Sequence, residues 1–84
     1  MDIHIRSEGE IIETIDRLCL ASWGAAEGGA SSDPSYSQLT MLLWVLGIPE
    51  VTYEDVYSRG KKVYKEGWKF EWDNHTRTYK KVLR

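Results

Sequence analysis

The chain has 84 residues, enough for one domain but with a thin stability margin, because a domain this small buries only about 60–65% of the surface its unfolded form exposes. Hydrophobic residues make up 42% of it, with four Trp and five Tyr, which excludes the disordered class, and its single cysteine, Cys19, excludes an internal disulfide framework. The net charge of −2 conceals ten acids against two bases before residue 56 and nine bases against three acids after it.

Residues 2–6, DIHIR, alternate with the period of a short half-buried strand. The charged start lacks the basic-then-apolar order of a signal peptide. With one free thiol, this points to a cytoplasmic protein. Ser7 stands three residues before Glu10 as a capping box does. Ile11, Ile12, Ile15, Leu18 and Cys19 follow at helical spacing, with Glu13, Asp16 and Arg17 on the far face. The first helix is expected over 8–22.

Residues 24–34, GAAEGGASSDP, lack large apolar side chains and read as a mobile loop. They do not divide the chain into domains, since the segment before them is too short for a core. No phosphate-binding G-x-x-x-x-G-K-[ST] pattern occurs there. Asp33 can cap a second helix with Pro34 at its first position, and Gly47 followed by Pro49 ends it. Tyr36, Leu39, Leu42, Leu43 and Leu46 make one apolar face, yet Met41, Trp44 and Val45 make the opposite side apolar too. Such a helix is buried on more than one side, either under the terminal strands or against another molecule. The longest apolar run here, LTMLLWVLGI, is half of what a membrane span requires, so no membrane role is expected.

Thr52 and Asp55 open a third helix that Gly67 closes. Tyr53, Val56, Tyr57, Gly60, Val63 and Tyr64 form its inward stripe, with Gly60 allowing a neighbouring helix to approach. Arg59, Lys61, Lys62 and Lys65 project from the other side. The tail returns to period two: Trp68, Phe70 and Trp72 share one strand face and are expected to point inward, and DNHT supplies a turn. The favoured register across that turn pairs Trp72 with Arg77, Phe70 with Tyr79 and Trp68 with Lys81, setting Lys69 against Lys80, while loops of about three or five residues would give other registers. The expected fold is therefore α+β: three helices packed with a C-terminal β-hairpin, with the N-terminal strand as a candidate addition.

Cys19 lies on an apolar helix face, where a thiol is a small core residue. His75 and Asp73 fall in a turn that favours them for backbone reasons, and His4, Cys19 and His75 have no metal-ligand spacing. No catalytic residue, metal site or cofactor is expected, which leaves binding. LLWVLGIPEVTYEDVYSRGKKVYKEG followed by WKFEWDNHTRTYKKV resembles, in element order and spacing, a winged helix-turn-helix. The resemblance covers the second half of the chain and implies a DNA-binding regulator, with Arg59, Lys61, Lys62, Lys65 and Arg77 as its contacts. The rival reading is a small regulatory protein, of the inhibitor or adaptor kind that phage and mobile elements encode. It would occupy a protein partner's surface through Met41, Trp44 and Val45, with the basic residues giving orientation. The acidic net charge and the surplus apolar face of the second helix place the protein partner ahead. A second copy of the chain is a further candidate for that face.

Overall fold

The computed structural model describes residues 8–29, 33–48 and 50–84. They form an α+β unit of three helices, α1 (Glu8–Glu27), α2 (Pro34–Val45) and α3 (Tyr53–Lys65), followed by an antiparallel hairpin of β1 (Trp68–Asp73) and β2 (Thr78–Leu83). The expected strand at 2–6, the Ser7 cap and Pro49 lie outside the described residues.

α1 is the central helix, packed most extensively on α3 and next on α2. Leu18 and Cys19 of α1 meet Leu39 and Leu43 of α2 and Val56 of α3, with Ile15, Tyr36, Leu42 and Val51 around them. Gly60 sets the closeness of α1 and α3: a Cβ there would collide with the Cys19 carbonyl oxygen and stand 2.6 Å from Trp23 Cβ. Contact on two sides widens the buried arc of α1 beyond a single stripe. This overturns two expectations, because Asp16 is buried while Ile12 is 45% exposed. α1 also runs five residues past its expected end, shortening the expected loop at 24–34. Ala25 and Ala26 are strong helix formers. Trp23 stacks on Tyr64 at 4.6 Å, and the Tyr57 hydroxyl donates to Glu27, so α3 holds the added turn in place.

Asp33 does more than cap α2. One carboxylate oxygen accepts the Tyr36 N–H at 3.1 Å, and the other accepts the hydroxyl of fully buried Ser22 on α1 at 2.7 Å. At the other end the Ile48 N–H reaches the Leu43 carbonyl at 2.8 Å and the Gly47 N–H that of Trp44 at 3.0 Å. This closure needs the left-handed backbone of Gly47, at φ +84°. Thr52 and Asp55 form the expected reciprocal capping box of α3. Val56, Gly60 and Val63 are the buried members of its stripe. Tyr53 and Tyr64 lie at its margins and stay exposed, with Tyr53 meeting Tyr36 edge-on at 5.1 Å.

The hairpin register differs by two residues from the expected one. Trp72 pairs with Tyr79, Phe70 with Lys81 and Trp68 with Leu83, around a four-residue turn at 74–77. A shift of two preserves which side chains share a face. It sets Glu71 opposite Lys80 and Val82 opposite Lys69, removing the repulsion of two lysines. Asp73 fixes the turn by accepting the His75 N–H at 2.8 Å and pairing with Lys80 at 2.6 Å, while Arg77 takes a left-handed φ of 54°. The aromatics do not close the core as expected: Trp68 and Phe70 are half-buried and Trp72 is exposed. At the far end of the sheet Arg17 of α1 lies over the Tyr79 ring, yet Trp72 and Tyr79 stay exposed. An open groove of ≈ 680 Å³ separates Phe70, Trp72 and Tyr79 from Ile11 and Leu42.

Candidate partner-binding surface

The outward face of α2 follows from its two-sided apolarity. Leu39 and Leu43 turn to the core, which leaves Ser37, Gln38, Met41, Trp44 and Val45 exposed at spacings of three and four residues. Met41, Trp44 and Val45 are 69%, 70% and 69% exposed. Leu46 and Ile48 in the following turn are exposed as well. Leu46 was expected on the face shared with Leu39 and Leu43, but at the end of α2 it stays exposed; Ile48 was missed in the sequence, although 41, 44 or 45, then 48 continues the outward spacing. No hairpin residue covers this face, because β1 packs at the α3 end and the hairpin aromatics lie along the α1 groove. Among the described residues, Met41, Trp44, Val45 and Ile48 thus continue one exposed apolar face without charge, the kind that marks a contact surface.

The basic residues fall into two groups. Arg59 is turned to α1, where its Nε donates to Asp16 Oδ1 at 2.7 Å. This hydrogen bond holds the guanidinium above its ordinary range against the opposing effect of burial. Lys81 approaches the other Asp16 oxygen at 4.0 Å and lies over the Trp68 ring at 4.5 Å. Arg17 covers the Tyr79 ring at 4.3 Å, and Arg84 covers Tyr64 at 3.8 Å. Asp16 thus draws part of the basic tail onto the acidic half of the chain. Lys61, Lys62, Lys65 and Arg77 form the second group. They are exposed, and among the described residues no ion pair holds them. The three lysines share the solvent side of α3; Arg77 stands apart in the hairpin turn. Arg59, half-exposed, is thus engaged in a fold contact that helical period alone did not reveal.

Cys19 is a core thiol, 3% exposed. Burial, with the Asp16 charge adding to it, pushes its pKa up to about 11, the opposite of what a nucleophile requires. Among the described residues no three His, Cys, Asp or Glu side chains converge as metal ligands, and no helix is long and apolar enough to cross a membrane. Compared with known protein families, curated proteins and solved structures, the chain matches none.

Proposed function

We propose that this chain is a small non-enzymatic binding protein that works by docking the outward face of α2 on a protein surface, with the α3 lysines orienting the encounter. The observation that carries this reading is the exposure of Met41, Trp44 and Val45 on a helix whose Leu39 and Leu43 are buried in the core on the other side. Large apolar side chains at an interface centre hold most of the binding energy, while peripheral charges mainly steer approach. The test places a photo-cross-linking phenylalanine analogue at position 44, and separately at position 62, in cells producing the protein. Position 44 should give adducts of protein mass that resist nuclease. Adducts from position 62 alone, removed by nuclease, would refute the reading.

The unpaired lysines support a second reading, as a DNA-binding regulator with a winged helix-turn-helix order of elements. A duplex binder releases counterions, so its log affinity falls with log salt by about 0.9 per phosphate contact. On this reading, Lys61→Glu, Lys62→Glu and Lys65→Glu together should flatten the slope by about three contacts and nearly abolish binding. On the protein-docking reading, wild type shows no measurable affinity for random duplex DNA at low salt. A titration over a range of salt separates the two.

A further inference from the structure

We infer that the surface that docks on α2 is a second copy of this chain, the two α2 helices packing antiparallel about a two-fold axis. This rests on the reading of the outward face of α2 as a protein-docking surface and adds the identity of the occupant. Charge supports it first. From Pro34 to the residue before Glu50 the sequence contains no charged side chain. A hetero-partner selected by electrostatic complementarity would find nothing on this face to read, whereas an identical face meets no like charge. Antiparallel approach sets the Glu50 end of each copy toward the N-terminal half of the other α2. There the exposed residues are Ser37 and Gln38, and the helix dipole is positive.

Spacing and area agree. The exposed positions 37, 38, 41, 44 and 45 recur at intervals of three and four, the spacing by which one helix seats on another. Under a two-fold axis Met41 of one copy lies against Trp44 or Val45 of the other, a flexible thioether filling around a rigid indole. Met41, Trp44, Val45 and Ile48 together expose on the order of 500 Å² per copy, within the range of the largest apolar patch a monomer leaves in water. Two copies would bury at most roughly 1,000 Å², the size of a small, reversible interface rather than an obligate one. A small domain with a thin core also gains stability from association.

The experiment is sedimentation equilibrium of the full chain from low micromolar to several hundred micromolar, with Trp44→Glu and Val45→Lys as variants. Each variant is checked by far-UV circular dichroism. Wild type should move from the 9.7 kDa monomer to twice that mass. Since each substitution strikes both sides of a two-fold contact, both variants should self-associate at least about a hundredfold more weakly with unchanged spectra. Wild type that stays monomeric throughout overturns the second-copy assignment while leaving the α2 docking face to its own cross-linking test. Dimers that persist in both folded variants also overturn it, because the contact would then lie elsewhere. Should Trp44→Glu unfold, the Val45→Lys result decides alone.

Discussion

Asp16 and Arg59 bear unequal shares of their ion pair, because the carboxylate is 5% exposed and the guanidinium 45%. Removing Arg59 leaves a buried carboxylate with only Lys81, at 4.0 Å. Removing Asp16 leaves a guanidinium that can turn to water. Urea unfolding should therefore show Arg59→Ala costing about 2–4 kcal/mol and Asp16→Ala only about 1–2, the half-exposed partner lowering the usual value for a buried pair. Equal costs would mean that Asp16 is hydrated. The Cys19 thiol gives a second test. Folding raises its pKa from the ordinary value to about 11, so between about pH 9 and 11 the native state holds a proton that the unfolded state has lost. Stability should fall with rising pH across that window, more steeply in wild type than in Cys19→Ala. Iodoacetamide at pH 8.5 should label Cys19 only after urea is added. Helical spacing alone identified Cys19 as a core thiol. It set Asp16 facing outward, because a periodic pattern describes one stripe and does not reveal that a second helix will cover the flank.

Among the elements, the α1 to α3 contact depends on one missing side chain. Gly60→Ala would gain about 1 kcal/mol in helix propensity, yet its methyl group would meet backbone at Cys19, which cannot rotate away. The helices would have to separate, so thermal unfolding should show a net loss of about 3 kcal/mol. A neutral or stabilising result would show that the two helices are not in close contact. The caps of α2 and α3 were legible in Asp33-Pro34 and in Thr52 with Asp55, where local chemistry decides the outcome. Hairpin register was not legible. It depends on how Asp73 organises the turn and on the pairing of Lys80 with Asp73, which alternation along each strand does not specify. The length of α1 was missed for a similar reason: residues 24–27 carry no large apolar side chain, and the support comes from Tyr57 and Tyr64 on another helix.

At the scale of the whole molecule, the opposed charges of the two halves are partly reconciled inside the fold and partly left facing solvent. Asp16 gathers Arg59 and Lys81, while Lys61, Lys62, Lys65 and Arg77 stay outside. The hairpin does not wrap α2, so the surplus apolar face of that helix remains outside the monomer fold. The two-faced character of α2 was readable from its sequence. Which face would be covered was not, because that depends on where the hairpin lies in space. A docking role for Trp44 requires that the fold not depend on it. The most direct test is the urea unfolding free energy of Trp44→Glu, measured in dilute solution where association does not contribute. The structure predicts a value within about 0.5 kcal/mol of wild type, as for an exposed site remote from the core. A loss of about 3 kcal/mol or more, the size expected for truncating a buried aromatic, would place Trp44 in the core and contradict the docking surface.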